Sequence, residues 1–317
     1  MKASIKRAML ATALTALATV SAFSASAAEK VTLMYTASAP YITAFVAKDK
    51  GFFEKHGVDV DLKLSQNGSI IITALVSGSA QVGIPTPVVA MQALENGVEL
   101  QAFASTNVFP DTSAAGLVVG PTSGIKGPKD LDGKKIGVPG VGGLLDVVMR
   151  EWVDRNGGDS NKINIVEITL PQTADVIKAG QVDGVASVDP FASRAVDTGA
   201  GVLIGNYTDV IAPGTVAGIY TVTKAWATAH KKEIEGMQAA LDEAVAFIKA
   251  NDKESRDILA KYTTLPPAVV ANLKMPNLST HLNAEKSFRF WNELAKHRGL
   301  ITQDADLKAF TIAYPGE

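Results

Sequence analysis

The sequence predicts an α/β protein of two lobes, in which each lobe is a mostly parallel sheet flanked by helices. Strand and helix patterns alternate in a first block that ends near residue 105, and they alternate again from about residue 115. The last hundred residues or so show no such alternation and indicate helices that pack back onto the first lobe. The chain has 317 residues, which is enough for two domains of ordinary size.

The first block predicts three β–α repeats followed by a further strand. The strands are short apolar or alternating runs, and the helices end at turn-forming residues such as Gly51 and Asn96-Gly97. The predicted strands span 31–35, 58–64, 80–84 and 98–105, and the predicted helices span 42–50, 70–76 and 88–95. The second of these helices is predicted in spite of its β-branched residues, because the alternation requires a helix there.

The second block repeats the alternation after residue 115. Pro190 suits the first position of its last helix, with Asp189 as the N-cap. The predicted strands span 115–119, 136–138, 163–168, 184–188 and 202–204, and the predicted helices span 144–156, 173–179 and 190–197.

Two alternating runs, 115–120 and 216–223, are the candidates for strands that cross between the lobes. The predicted limits are therefore 29–117 plus 218–317 for the first lobe and 118–217 for the second. A cleft between two such lobes is a common small-molecule site, and hinge closure around the ligand is the expected motion.

The tail after the second crossing is predicted to be helical. An amphipathic helix is predicted at 232–250, and breaks are predicted at Pro266-Pro267 and at Pro276. The apolar face of that helix consists of Met237, Leu241, Ala244, Val245 and Ile248.

Residues 1–28 predict a secretory signal peptide. A basic segment is followed by an apolar run at 8–23 and by Ser26-Ala27-Ala28, a small-residue site that suits cleavage before Glu29. The apolar run is too short for a good membrane-spanning helix, so a membrane anchor is the disfavoured alternative. We therefore expect a periplasmic protein with no direct membrane anchor.

The composition excludes several function classes. The chain has no cysteine, which excludes disulfides and a lipid-modified N-terminal cysteine. Without the three basic residues of the predicted signal peptide, 27 basic residues stand against 32 acidic ones, a net charge of about −5 with the two signs interspersed. Such a surface gives no electrostatic footprint for nucleic acid, so no nucleic-acid partner is expected. A monomer is expected.

No catalytic residue, metal site or cofactor is predicted, and the chain is not expected to be an enzyme. The four histidines are scattered without metal-ligand spacing, and no G-x-S-x-G turn is present. These histidines are His56, His230, His281 and His297.

The stretch 133–156 is the best candidate for the second lobe's share of a binding site. A buried strand is followed by a glycine-rich turn at 139–143 and by a helix that starts at Leu144. The N–H groups of a first helical turn have no partner within the helix and carry partial positive charge, so this junction suits a polar or anionic group. It lacks the third glycine of a dinucleotide fingerprint and the Gly-Lys-Ser/Thr of a phosphate-binding loop. A turn that merely needs flexible residues is the alternative.

The other candidates lie on loops at the carboxyl ends of the predicted strands, where ligands bind in open α/β sheets. In the first lobe these loops carry Ser, Thr, Asn and Tyr but no Lys or Arg. The candidate ligand-binding residues of both lobes are Ser38, Tyr41, Asn67, Gly68, Ser69, Thr86, Asn107, Val141, Gly142, Gly143, Asp189 and Phe191.

Ordinary structural roles compete with binding at several of these positions. Loop packing is the alternative for Ser38 and Tyr41, and N-capping is the alternative for Asn67. For Asp189, capping is favoured over a ligand contact. The aromatic Tyr41 and Phe109 and the scarcity of charge favour an organic ligand over a bare inorganic ion.

Four motifs, in order along the chain, resemble those of a known family. The segment 50–60, KGFFEKHGVDV, is similar to its G-F-F-x-K-x-G-[LV]-x-V motif. The segment 74–83, ALVSGSAQVG, is similar to its A-L-x-x-G-x-x-D-x-G motif, with Gln81 where an acidic residue is usual. The segments 125–138, IKGPKDLDGKKIGV, and 179–184, AGQVDG, complete the set. The chain thus resembles the nitrate/sulfonate/taurine-type substrate-binding proteins of ABC importers, a group that also includes binders of thiamine pyrimidine precursors.

This resemblance implies a type II periplasmic-binding-protein ("venus flytrap") fold, a periplasmic location, a small-molecule ligand, and an ABC permease with its ATPase as partners. It does not fix the ligand, so sulfonates, taurine, aromatic carboxylates, pyrimidines, nitrate and bicarbonate all stay open. Two alternatives are a pyrimidine-synthase-like enzyme of the same fold and the ligand-binding subunit of a membrane sensor. The enzyme family carries a cysteine-rich motif, and this chain has no cysteine.

Overall fold

The computed structural model describes residues 30–110, 115–263 and 267–314. The predicted signal peptide, its cleavage site before Glu29 and the first proline of the predicted break at Pro266-Pro267 lie outside the described residues.

The strands of the described chain follow the predicted periodicity to within a few residues. They are β1 (Lys30–Tyr35), β2 (Asp59–Leu64), β3 (Val82–Gly83), β4 (Leu100–Ser105), β5 (Ala115–Val119), β6 (Lys135–Val138), β7 (Asn164–Glu167), β8 (Gly184–Val188), β9 (Val202–Asn206) and β10 (Ile219–Thr223).

The helices fill the connections between these strands and the whole of the tail. They are α1 (Ile42–Asp49), α2 (Phe52–Lys55), α3 (Gly68–Ser77), α4 (Pro87–Glu95), α5 (Leu144–Arg155), α6 (Thr173–Lys178), α7 (Phe191–Asp197), α8 (Lys224–Ala229), α9 (Lys231–Ala250), α10 (Asp252–Thr263), α11 (Pro267–Ala271), α12 (Ala284–His297) and α13 (Leu307–Phe310).

Local signals explain why α3 forms in spite of its β-branched residues. The Asn67 side chain caps the helix by accepting a hydrogen bond from the Ile70 N–H at 3.0 Å, and Gly78 ends it in the left-handed region at φ +73°. The helix lies close against the sheet at Gly83, where a Cβ atom would come within 2.3 Å of the Ile71 side chain.

The start of α7 differs from the prediction. The helix begins at Phe191, and Pro190 occupies the N-cap position instead of the first helical position. Asp189, predicted as the N-cap, lies one residue further out. Its carboxylate nevertheless accepts hydrogen bonds from the Ser193 N–H at 3.2 Å and the Ser193 hydroxyl at 2.6 Å, and so it satisfies the first turn of the helix.

The first sheet has the strand order β2-β1-β3-β10-β4. Strand β1 pairs in parallel with β2 and β3, whereas β10 enters between β3 and β4 and is antiparallel to both. Because β10 returns late in the chain, this sheet joins sequence segments more than a hundred residues apart.

The second sheet has the order β7-β6-β8-β5-β9. Strand β6 is parallel to β7 and β8, and β5 is antiparallel to β8 and β9. The predicted α/β fold of two sheets flanked by helices is confirmed, and each sheet is mixed, with one strand, β10 or β5, antiparallel to both of its neighbours. We call the first sheet with its helices and the tail the first lobe, and the second sheet with its helices the second lobe.

The chain passes between the lobes twice, and the two passages lie side by side. The Phe109 N–H donates to the Thr215 carbonyl at 2.8 Å, and the Gly214 N–H donates to the Phe109 carbonyl at 2.7 Å. All of β5 pairs within the second sheet, so the first passage lies before Ala115 and not at residue 117. The predicted strand 216–223 starts its regular pairing only at Ile219.

The tail packs on the first lobe. Helix α9 lies against α1 and α2, α10 lies against α1, α12 lies against α4, and α13 lies against β4. The predicted apolar face of α9 is inward, with Met237, Leu241 and Ala244 fully buried. Within the described residues, no helix combines the length and the apolar character that crossing a membrane would require.

Candidate ligand-binding site

A cavity of about 430 Å³ lies between the two lobes. Its volume is within the usual range for sites that hold small organic molecules. The loops at the carboxyl ends of the strands supply most of its lining, as expected for open α/β sheets.

The first lobe contributes a wall rich in uncharged polar groups. They come from the loop after β1, the loop after β2 with the start of α3, the residue before α4, the middle of α4, and the residues after β4. The polar side chains of this wall are Thr36, Ser38, Tyr41, Ser65, Gln66, Asn67, Ser69, Thr86, Gln92 and Asn107.

The second lobe contributes a mostly apolar wall. Thr169 and Tyr207 are its only polar side chains among the described residues, and both hydroxyls already donate, to Gln172 Oε1 at 2.9 Å and to the Ser187 carbonyl at 2.8 Å. The apolar members of this wall are Ala115, Pro139, Val141, Leu144, Leu145, Val148, Leu170, Pro171, Val188 and Ile211.

No described lining residue carries a charge. Carboxylates do lie behind the walls, but they bond to protein groups. The buried Asp146 accepts from the Gly142 N–H at 2.8 Å and from Arg150 Nε at 2.7 Å, and Asp189 accepts from the N–H and the hydroxyl of Ser193 in α7. A ligand with a negative end would therefore meet hydroxyls, amides and backbone N–H groups, and the described lining offers it no cation.

Three helices begin at the cavity, and their first turns supply N–H groups. In α3 the Ile70 N–H already donates to the Asn67 side chain, so the N–H groups of Gly68 and Ser69 remain for a ligand. The N-cap residues of α4 and α5, Thr86 and Gly143, make no side-chain cap. The partial positive charge of such helix ends favours an anion at this place.

The Thr86 hydroxyl has no partner among the described residues, although its oxygen is shielded from solvent. Thr86 lies in the cavity lining between the short strand β3 and α4. Because buried hydroxyl groups in folded proteins are almost always hydrogen-bonded, this one is a strong candidate for a contact with the ligand.

Tyr41 forms part of the first-lobe wall and is only 6% exposed. Burial raises the pKa of its hydroxyl above the usual value, although a hydrogen bond with Thr36 acts in the opposite direction, so the side chain is neutral at physiological pH. Its ring lies against Gly218, where a Cβ atom would come within 2.8 Å of Tyr41 Cε1 and also of Thr106 Oγ1. The absence of a side chain at position 218 thus sets the position of the tyrosine.

Nine of the twelve predicted site residues line the cavity. They are Ser38, Tyr41, Asn67, Gly68, Ser69, Thr86, Asn107, Val141 and Gly143.

The other three, Gly142, Asp189 and Phe191, lie outside the lining. Gly142 faces the first lobe directly, and its carbonyl accepts a hydrogen bond from Gln92 Nε2 at 2.7 Å. The Asp189 carbonyl accepts from the Ala39 N–H at 3.3 Å, again between lobes. Phe191 is buried in the core, because the turn into α7 directs it inward.

Several lining residues are not among the twelve predicted ones. Gln92 follows Thr86 and Val89 at intervals of three, which places all three near one face of α4, and this periodicity was a usable signal. Tyr207 and Ile211 follow β9 in the second lobe, ahead of the second passage, and their place in the lining depends on tertiary structure alone.

The lobes also meet through polar contacts at the edge of the cleft. Arg298, which follows α12, binds Glu151 Oε2 and Asp154 Oδ2 of α5, both at 2.6 Å. We call these three residues the inter-lobe ion cluster. The Asn67 side chain donates to Glu167 at 3.1 Å in a further contact between the lobes.

Among the described residues, no three His, Asp or Glu side chains are grouped so that they could hold a metal ion. The polar groups that converge on the cavity are suited to binding a solute.

The sequence matches the "NMT1/THI5 like" family over residues 39–255, which is most of the chain. The taurine-binding periplasmic protein of Escherichia coli (strain K12) is 29% identical over 280 residues, which cover 84% of this chain and 82% of the relative.

Solved structures share the fold at lower sequence identity. The alkanesulfonate-binding protein SsuA from Xanthomonas axonopodis pv. citri superposes with a TM-score of 0.77 at 20% identity, over 90% of this chain and 98% of the other. The periplasmic nitrate-binding protein NrtA from Synechocystis PCC 6803 gives 0.76 at 16% identity, over 89% and 84%. The chain therefore belongs to the NMT1/THI5 like family, and it has the two-lobed periplasmic-binding-protein fold.

Proposed function

We propose that this protein is the periplasmic solute-binding component of an ABC importer. It captures a small organic solute with a polar or anionic end in the inter-lobe cavity and delivers it to a permease and its ATPase. The observation that carries the proposal is the cavity itself, which both lobes line and into which three helices present their N-terminal turns. The taurine-binding and alkanesulfonate-binding proteins among its relatives support the same class of ligand.

The lining favours an organic anion such as a sulfonate or an aromatic carboxylate. A bare inorganic ion would leave the apolar side chains of the second lobe without contacts, and burial of apolar ligand surface there is favourable. A sulfonate or carboxylate group suits the N–H and hydroxyl groups of the first lobe, because these can donate several hydrogen bonds to an oxyanion.

The mechanism is a shift between open and closed forms. A ligand that touches both walls binds the closed form more tightly than the open form, and so it increases the closed population. The paired passages at Phe109 and Gly214–Thr215 are the place where a hinge would bend, since they connect the lobes without belonging to either sheet. The permease would then recognise the closed form.

A thermal-shift screen tests the proposal. The mature protein is mixed with alkanesulfonates, benzenesulfonate, taurine, aromatic carboxylates, pyrimidines, nitrate and bicarbonate. We expect an organic anion to raise the melting temperature, since a ligand at a hundred times its Kd adds about 2.7 kcal/mol to the free energy of unfolding. Small-angle X-ray scattering with that ligand should show a smaller radius of gyration. If none of these compounds stabilises the protein, or if a tight ligand leaves the radius unchanged, the proposal is wrong.

A further inference from the structure

We infer that the two lobes recognise different ends of the ligand: the first lobe holds the anionic end, and the second lobe covers an apolar body. This inference rests on the proposed function and adds an orientation to it. The ligand is then an amphipathic organic anion whose charged group and hydrocarbon part lie on opposite sides of the cleft.

The distribution of polar side chains supports this orientation. Among the described residues, ten polar side chains of the first lobe line the cavity, and the second lobe adds Thr169 and Tyr207, whose hydroxyl protons are already donated within that lobe. Ser65, Asn67, Gln92 and Asn107 of the first lobe also bond to protein groups, whereas the Thr86 hydroxyl has no partner among the described residues. An anion on the second-lobe side would meet mostly hydrocarbon. An apolar body on the first-lobe side would cover the Thr86 hydroxyl without giving it a hydrogen-bond partner, which is unfavourable.

The charge of the first helical turns supports it as well. Helices α3 and α4 have no acidic residue of their own in the first turn, and α4 is the less offset of the two, because the Glu167 carboxylate accepts a hydrogen bond from Asn67, the N-cap of α3, at 3.1 Å. Helix α5, on the second lobe, carries Asp146 in its first turn, and this carboxylate is buried and accepts a hydrogen bond from the neighbouring Gly142 N–H. Arg150 Nε pairs with this carboxylate at 2.7 Å, but the carboxylate still occupies the Gly142 N–H at the start of α5, so α4 is the better anion site.

The free hydroxyl of Thr86 gives the anionic end a specific place. Its oxygen is buried without a partner at the start of α4, on the first-lobe wall. A ligand oxyanion there would accept from this hydroxyl and from first-turn N–H groups together.

A crystal structure with 4-bromobenzenesulfonate tests the orientation directly, because anomalous scattering locates the bromine. We expect the sulfonate within hydrogen-bond distance of Thr86 or of the first turn of α3 or α4. We expect the bromine to contact the wall formed by Leu144, Leu145, Val148 and Leu170. The reverse orientation would overturn the inference and leave the proposed function standing.

Affinities measured in solution give an independent test. Isothermal titration calorimetry measures the binding of 1-propanesulfonate and of 1-hexanesulfonate to the wild type and to each variant. Thr86→Val should weaken both ligands by the same factor, about tenfold for a lost hydrogen bond to a charged group. Thr228→Val, the same change on an exposed helix away from the cavity, should change neither affinity.

Second-lobe variants should act on the hydrocarbon part instead. In the wild type, each buried methylene should strengthen binding about fourfold. Leu145→Ala should weaken 1-hexanesulfonate several-fold and 1-propanesulfonate much less. Leu170→Ala gives a second, separate reading should the first variant unfold.

The outcomes separate the two proposals. If Thr86→Val weakens only the longer ligand, or if the leucine variants weaken both ligands equally, the orientation is wrong although the protein binds sulfonates. If the wild type binds neither sulfonate nor 4-bromobenzenesulfonate, the orientation falls, and failure of the whole screen would also remove the proposed function.

Discussion

Gly218 shapes the first-lobe wall although it is not one of the lining residues. Its hydrogen-only side chain leaves room for the Tyr41 ring and the Thr106 hydroxyl, each of which would lie 2.8 Å from a Cβ atom. We predict that Gly218→Ala displaces one of these groups, lowers the free energy of unfolding by about 1–3 kcal/mol, and weakens ligand binding about tenfold or more. Denaturant titration and calorimetry measure the two effects.

Gly127→Ala is the matched control for this prediction. Gly127 has extended backbone at φ −171°, and no heavy atom lies within 4 Å of a Cβ placed there. Its unfolding free energy and ligand affinity should stay close to those of the wild type. Equal effects of the two substitutions would refute the role assigned to Gly218.

The lack of charged lining residues predicts selectivity against amino-sulfonates. No described carboxylate lines the cavity, so the ammonium group of taurine would lose its hydration without gaining a counter-ion. We predict that 1-propanesulfonate, in which a methyl group replaces that ammonium, binds about tenfold or more tightly than taurine. Competition calorimetry measures the ratio, and tighter binding of taurine would contradict the prediction.

At the residue scale, the sequence could predict polar loop residues but not the direction of every side chain. Thr86 was predicted because prolines on both sides hold it at a strand end, and it lines the cavity. Phe191 also follows a strand end, yet the start of α7 turns it into the core. Whether a residue after a strand end lines the cavity or packs in the core depends on where the next helix begins. The local sequence pattern does not determine that position to within one residue.

Among the elements, α12 and α5 carry the most specific contact between the lobes. The side chains of Arg298 and Glu151 in the inter-lobe ion cluster are only 13% and 11% exposed, and Asp154 is 36% exposed. We predict that Arg298→Met lowers the free energy of unfolding by about 1–3 kcal/mol, between the values typical of exposed and of buried pairs. Arg289→Met is the control, because Arg289 pairs with Glu285 on the same helix and is exposed. A loss no larger than that of the control would show that the cluster is not stabilising.

The same cluster predicts a pH dependence. Burial alone would raise the pKa of both carboxyl groups, but hydrogen bonds from Arg155 and Arg298 hold that of Glu151 below its usual value, and those from Ser160 and Arg298 do so for Asp154. A carboxylate with a lowered pKa contributes stability that is fully present above its usual pKa and is lost as the pH falls through the lowered one.

The difference in melting temperature between the wild type and Arg298→Met should therefore be constant from about pH 8 to pH 5 and shrink below about pH 4. Differential scanning calorimetry over this range measures it. A difference that persists unchanged to pH 3, or one that varies between pH 6 and pH 8, would contradict the prediction.

The order of strands and helices was predictable because each element carries its own period and ends at a turn. The pairing of strand β10 was less predictable than this order. Residues 216–223 alternate throughout, but the start of this run pairs with the first passage between the lobes, and only Ile219–Thr223 joins the sheet. Which partner an alternating segment finds is decided by the whole fold.

On the scale of the whole molecule, the hinge region is tied to the tail. The Trp291 indole N–H of α12 donates to the Val216 carbonyl at 2.6 Å, and the Ser287 carbonyl accepts from the Val216 N–H at 3.4 Å. The second passage between lobes is thus fixed to the first lobe on one side, while α12 also ends next to the ion cluster. The tail therefore contacts both the proposed hinge and the inter-lobe ion cluster at the edge of the cleft.

This arrangement predicts that the ion cluster affects every ligand alike. If the cluster forms only in the closed form, its loss lowers the closed population and weakens all ligands by one common factor. In Arg298→Met, the affinities for 1-propanesulfonate and 1-hexanesulfonate should fall in the same proportion, with their ratio kept. A changed ratio in calorimetry would mean that Arg298 acts on the cavity itself.

Among the described residues, the cavity lining has no group that gains or loses a proton near neutrality, since burial raises the pKa of the Tyr41 hydroxyl above its usual value. Sulfonates likewise stay ionised in mildly acidic and mildly alkaline water. A sulfonate bound in this cavity is therefore expected to keep the same affinity from mildly acidic to mildly alkaline pH.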